Sequence, residues 1–306
     1  MSSQLIALEV LFIVGLLTIF IGLPWHLVYQ RRIKLGKPLL DQWSSEESTL
    51  DLLDVVLTFF CYFGVQVAGV LFIVSNPDPS DLSRHFLQMS PFNSAAGLTT
   101  LLAVFLLIPI LYYRRRDLRA FRLRHDRLRE LLKIGLLAAI LLIPLTMAIN
   151  VIVGLLVTPY SHPVIDTLLA EASVETLIYT VITVVVAAPI VEEFVFRGVF
   201  LTYLQRAFSG NWATNTLILC KHSEKPENQF KAADTFQRHG ANLLTSLIFA
   251  ALHLGQGAAP IPLFLLSFGI GHVSNKTGSI IPCILIHMLL NGISTIPLIY
   301  IVLSQA

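Results

Sequence analysis

Ala188-Pro189-Ile190-Val191-Glu192-Glu193-Phe194-Val195-Phe196-Arg197-Gly198 sets two adjacent carboxylates and a guanidinium inside an apolar run that extends from Leu177 to Leu204. A run of that length can cross a bilayer, whose hydrocarbon core takes roughly 20 helical residues. Each ionised group at membrane depth costs about 2.5–3.5 kcal/mol on insertion scales. Three of them in one helix therefore need a reason. Glu193 and Arg197 are four apart, so they share a helix face and can pair. Glu192 is turned about 100° from Glu193 and is left to face something else. Pro189 lacks a backbone N–H and predicts a kink just before the acids, with room for water. An interhelical salt-bridge staple accounts for Glu193 and Arg197 and leaves Glu192 unexplained.

The rest of the chain repeats the apolar pattern. Of its 306 residues 55% are hydrophobic and 13% charged, where a soluble domain carries about 25% charged residues. Further apolar runs lie at 5–29, 52–75, 95–113, 131–160, 243–254, 261–273 and 280–303. The expectation is an all-α, polytopic membrane helix bundle of about eight transmembrane helices. Seven is the alternative if the two short runs, separated by Gly255, Gly257 and Pro260, form a broken pair. The first run contains Glu9, follows no basic segment and precedes no small-residue cleavage site, so it reads as a retained helix. Cys61, Cys220 and Cys283 are far apart and read as small buried hydrophobes, with neither a disulfide framework nor a CxxC metal site.

Positive charge sets an expected orientation. Arg31, Arg32, Lys34 and Lys37 follow the first run, a cluster from Arg114 to Lys133 follows the third, Arg206 and Lys221 follow the fifth, and Lys276 follows the seventh. The intervening loops are poor in base, so odd-numbered helices are expected to end in the cytoplasm. The cluster from Arg114 to Lys133 reads as an interfacial helix against anionic lipid headgroups. Beside a bilayer a nucleic-acid partner is not expected. Residues 1–173 then form N-terminal transmembrane helices with basic cytoplasmic loops, and 174–306 a catalytic core with a polar insertion at 211–240.

Two more places break the apolar pattern. Phe249 and His253 share a face at a spacing of four, as do His287 and Asn291. Alone, either is ordinary interhelical glue. Measured from the cytoplasmic ends of their runs, Glu192, His253 and His287 lie at depths of about 21, 16 and 12 Å. They fall within about two helical turns of one level, which argues for one shared site. Peptide-bond hydrolysis needs a base for water and donors for the oxyanion. Glu192 and His253 fit the first role, His287 and Asn291 the second. A divalent metal such as Zn2+ held by Glu192, His253 and His287 is the rival account. The helical HExxH signature is absent, and a metal-free glutamate mechanism stays open beside it.

The three motifs together resemble the family of CAAX prenyl proteases and bacteriocin-processing enzymes, also called CPBP or Abi. Its signatures are a double Glu followed by Arg, a Phe four residues before His, and a His four residues before Asn. Glu192-Glu193 with Arg197, Phe249 with His253, and His287 with Asn291 occur here in that order. The resemblance covers about residues 177–296. It implies an eight-helix bundle with a conical cavity open to the cytosol. Glu192 would activate water with help from His253, and His287 and Asn291 would form the oxyanion hole. Glu193 and Arg197 would hold the site in shape, and Phe196 and Phe249 would line the substrate pocket. It further implies a metalloprotease acting on a membrane-associated peptide or protein, either prenylated CAAX-type or bacteriocin-like, with membrane lipids as the other partner. The long stretch 211–240 departs from the compact family pattern and bears on substrate entry. The alternatives are a non-catalytic immunity or scaffold protein of the same fold, and an ion-coupled transporter, which also buries carboxylates.

Overall fold

Apolar runs in lipid can satisfy their backbone polar groups within one segment only as helices, and helices are what the chain forms. The computed structural model describes residues 18–43, 49–75, 105, 107–157, 174–208 and 233–305, with no strand among them. Helix α1, Leu23–Arg31, follows a wide turn at Thr18–Gly22. Helix α2 is Leu52–Ser75, α3 covers 107–115, and α4 is Leu128–Gly154. Helix α5 is continuous over 174–207 but changes register twice. Two α-helical stretches, Val174–Val181 and Ala188–Glu193, flank a wide π-type turn at Ile182–Ala187, and a second wide stretch, Phe194–Phe200, leads into Leu201–Ala207. Helices α6, α7 and α8 are Ala233–Ala251, Pro260–Thr277 and Ile281–Gln305.

The two largest of four apolar clusters among the described residues hold most of these helices together. In one, Val191, Phe194, Val195, Phe196 and Val199 of α5 pack with Leu107, Leu111, Phe121, Phe249 and Ile280. In the other, Ala139 and Ile143 of α4 meet Leu266, Ile270 and Val273 of α7 and Cys283, Ile286 and Leu290 of α8. Helices α6 and α7 approach so closely that a Cβ on Gly271 would fall 1.7 Å from Asn242 Oδ1. Asn242 Nδ2 donates across that contact to the Phe268 carbonyl at 2.9 Å.

Two of the described helices, Leu128–Gly154 and Ile281–Ser304, are long and apolar enough to cross a membrane. Both leave much of their apolar surface uncovered. Leu136, Leu137, Ile140, Val151 and Ile152 of α4 stand exposed, as do Ile293, Ile296, Tyr300 and Leu303 of α8. Exposed aliphatic faces of that extent suit lipid rather than water, and the core helix of a soluble protein would have covered them. The expected short runs at 243–254 and 261–273 are separate helices. Gly255 and Gly257, with φ of 92° and 60°, turn the chain between them, and Pro260 sits in the first turn of α7. Helix α6 also starts ten residues before the apolar run does. The loop expected at 76–93, residues 161–173 of the loop expected at 161–175, residues 211–232 of the insertion expected at 211–240, Cys220 and the first 17 residues lie outside the described residues, whereas 174–175 belong to α5 and 233–240 to α6.

The basic segment from Arg114 to Lys133 corrects the expectation of one interfacial helix. Helix α3 ends at Arg115, a single 3-10 turn covers Leu118–Phe121, and α4 begins only at Leu128. Arg116 and Arg122 adopt φ of 58° and 55°, which no continuous right-handed helix permits. The reason is that many of these arginines have partners in the protein. Arg114 and Arg115 reach Asp54 and Asp51 at the start of α2. There the Asp51 N–H donates to Asp54 Oδ2 at 3.0 Å and the Asp54 N–H to Asp51 Oδ1 at 3.1 Å, a reciprocal cap. Acids at a helix N-terminus and bases at a helix C-terminus both complement the backbone dipoles. Arg122 donates to Ser274 Oγ at 2.7 Å, Asn275 Oδ1 at 3.1 Å and Gln205 Oε1 at 2.5 Å, tying α5 to the end of α7. In the turn before α4, the hydrogen-bonded Arg124 holds the Asp126 carboxyl down at about 2.

Asp54 is fully buried while both arginines keep some contact with water. Asp54→Ala is therefore expected to cost about 1–3 kcal/mol, the price of unsatisfied charge-assisted bonds at a half-buried site. Thermal unfolding in detergent measures it, and an unchanged midpoint would show that water already satisfies these groups.

Candidate functional site

Helices α5 and α8 meet at the acid pair. Glu193 is fully buried, and its Oε1 accepts from Arg197 Nη1 at 3.1 Å, the pairing its spacing predicted. The same oxygen accepts from His287 Nδ1 of α8 at 2.9 Å. A carboxylate has no proton to give, so the hydrogen resides on Nδ1, and Nε2 is the nitrogen presented on the other side of the ring. Facing it at 3.9 Å is Glu192 Oε2. That separation exceeds a direct hydrogen bond and leaves both atoms available to a third molecule. Glu192 keeps 19% of its side chain exposed, in contrast to its buried neighbour.

The guanidinium of Arg197 is held through both of its terminal nitrogens. It is 1% exposed, donates through Nη2 to Ser267 Oγ at 2.6 Å and to the Ser267 carbonyl at 3.3 Å, and lies 4.8 Å from the Phe249 ring centroid. Ser267 was not foreseen. Its only signal in the sequence is a hydroxyl within the apolar run 261–273. The second wide stretch of α5 explains the glycine after Arg197. A Cβ on Gly198 would fall 2.9 Å from the Phe121 carbonyl, a backbone atom that cannot swing aside. Gly198→Ala is expected to destabilise the protein by about 1–3 kcal/mol through this overlap, read as a lower unfolding midpoint; a midpoint equal to that of the parent would show the two backbones free to separate.

Phe249 is the hub between the histidines. Its ring lies 4.9 Å from that of His253 and 6.2 Å from that of His287, and meets Phe196 edge-on at 5.2 Å. Phe196 and Phe249, expected to line the substrate pocket, are each 1% exposed and form a wall behind the charged groups. His253 stands two residues beyond the end of α6, in the turn before α7, and is half-buried. Its Nδ1 lies 2.8 Å from the Phe249 carbonyl, which makes that nitrogen the donor. Asn291, one turn after His287, donates through Nδ2 to the Val184 carbonyl at 2.9 Å, inside the first wide turn of α5.

The structure thus joins Glu193, Arg197 and His287 by direct hydrogen bonds, sets Glu192 3.9 Å from His287, and places His253 one aromatic ring away. A catalytic zinc ion takes three protein ligands. Among the described residues no group of three or more His, Cys, Asp or Glu side chains is arranged to hold a metal. Glu192 and His287 offer two donors, and His253 does not complete a set with them.

Fold and site together define a helical membrane protein with a buried carboxylate–imidazole–guanidinium centre. Residues 174–293 match the family model of type II CAAX prenyl endopeptidases, Rce1-like, and through this segment the chain is similar to the CAAX-protease family. All seven residues of the three motifs lie within the matched stretch. No curated protein and no solved structure matches the chain.

Proposed function

We propose that this protein is an intramembrane endopeptidase that cleaves a peptide bond of a membrane-associated substrate by metal-free activation of water. The observation that carries the reading is His287, held by Glu193 through one ring nitrogen and presenting the other to Glu192. Water bound at Glu192 gives a proton to its carboxylate while the water oxygen attacks the scissile carbonyl carbon. The oxygen of that carbonyl gains negative charge and is met by His287, when its Nε2 carries a proton, and by the second amide hydrogen of Asn291. Collapse of the tetrahedral adduct breaks the C–N bond. The leaving amine takes the proton stored on Glu192, so the products are a new carboxyl terminus and a free amine. His253 Nε2, free because Nδ1 bonds the Phe249 carbonyl, helps to hold the water. In this reading eight helices span the membrane, the site opens to the cytoplasmic side, and the substrate is of prenylated CAAX or bacteriocin type.

The test is cleavage of a lipid-anchored, fluorescence-quenched peptide library by the purified protein in liposomes, with products identified by mass spectrometry. Cuts with water-derived oxygen in the new carboxyl group are expected. A library left intact by folded protein would overturn the assignment. One observation favours the second reading, a non-catalytic scaffold or immunity protein: His253 and Asn291 both spend a bond on a main-chain carbonyl. That reading predicts that a cellular phenotype of the protein persists in Glu192→Ala.

A further inference from the structure

Asn291 holds a carbonyl for which helix α5 has no main-chain donor in its wide register. In the wide turn Ile182–Ala187 the main-chain bonds run five residues back, and the Ala188 N–H reaches the Thr183 carbonyl. In that register the carbonyl of Val184 waits for the N–H of residue 189. Residue 189 is proline and has none. Asn291 Nδ2 fills the vacant position from α8 at 2.9 Å. The neighbouring Gly292 lies against this turn, where a Cβ would make an ordinary contact 3.6 Å from Val185 Cγ1.

The consequence reaches the acids. Wide turns insert one extra residue into a helix. Losing that insertion turns every side chain beyond it by about 100°. Glu192 lies three residues after Pro189 and would be carried away from His287. We propose that Asn291 is a positioning residue for Glu192: its amide N–H replaces the donor that Pro189 lacks and locks the register in which Glu192 faces His287. The pairing is reciprocal, because the proline creates the need that the asparagine meets.

A double-mutant cycle tests this, with Asn291→Ala, Pro189→Ala and the double variant prepared as full-length protein. Pro189→Ala restores a backbone N–H where Val184 needs one. Two quantities are read, the unfolding midpoint in detergent and kcat per folded molecule on the peptide found above; the second rests on the proposed function. Asn291→Ala is expected to lower both. Adding Pro189→Ala is expected to recover kcat by about tenfold, the worth of one buried hydrogen bond, and to recover most of the midpoint. Simple additivity in the midpoint and multiplication of the losses in kcat would overturn the proposal. A recovered midpoint with kcat unmoved by Asn291→Ala would also overturn it, by leaving the asparagine no influence on Glu192. If the parent protein cuts nothing, the peptidase reading fails on its own, and coupling in the midpoint still decides whether the asparagine answers the proline.

Discussion

Glu192→Gln is expected to lower kcat by at least about 10³-fold, near the upper range for loss of a general base, while the unfolding midpoint stays close to that of the parent. The two halves of this expectation come from the same geometry. Glu192 is the partly exposed member of the acid pair, and it faces His287 Nε2 at 3.9 Å. Glutamine keeps its size and forfeits little in folding. It cannot take a proton from water, so the chemical step loses its base. The matching change one residue on should behave in the opposite manner. Glu193 is buried and receives both Arg197 and His287 on one oxygen, so Glu193→Gln is expected to lower the midpoint as well as the rate. Cleavage rates and unfolding midpoints for the pair of variants separate the roles. Glu192→Gln retaining a tenth or more of the parent kcat would remove it from the reaction.

Much of this centre was legible in the chain because lipid makes stray charge expensive. Four-residue spacing gave the Glu193–Arg197 pair, and the depth argument brought α8 to α5, where His287 meets Glu193 at 2.9 Å. What could not be read were the features that depend on helix register. Hydrophobic periodicity does not detect a one-residue insertion, so the two wide turns of α5 were invisible. With them went the knowledge that Asn291 would reach Val184 rather than stand free beside His287. The start of α6 at Ala233 was missed for a related reason: Asp234, Gln237, Arg238 and Asn242 give that stretch no apolar stripe to announce a helix. The basic segment misled differently. Its arginines suggested headgroups because their acidic partners, Asp51 and Asp54, lie about sixty residues earlier, and no local pattern links the two.

Arg197→Met is expected to destabilise the protein by about 3–5 kcal/mol, the cost of breaking a buried ion pair by removing one partner. Against a total stability of about 5–15 kcal/mol, that loss threatens folding itself. The cost does not come mainly from the bonds lost. It comes from Glu193, which stays buried beside the Phe249 wall with its countercharge gone. Removing the stranded carboxylate should therefore repair the fold. The double variant Glu193→Gln, Arg197→Met is expected to regain most of the lost midpoint, because buried pairs replaced whole are often neutral in stability. It should not regain activity, since His287 Nδ1 then loses the carboxylate that fixes its hydrogen and turns Nε2 toward Glu192. A folded, inactive double variant beside an unstable single one would separate what the guanidinium does for the fold from what the carboxylate does for the reaction. If Arg197→Met unfolds at the parent midpoint, the pair is not buried in the sense used here, and water rather than Arg197 satisfies Glu193.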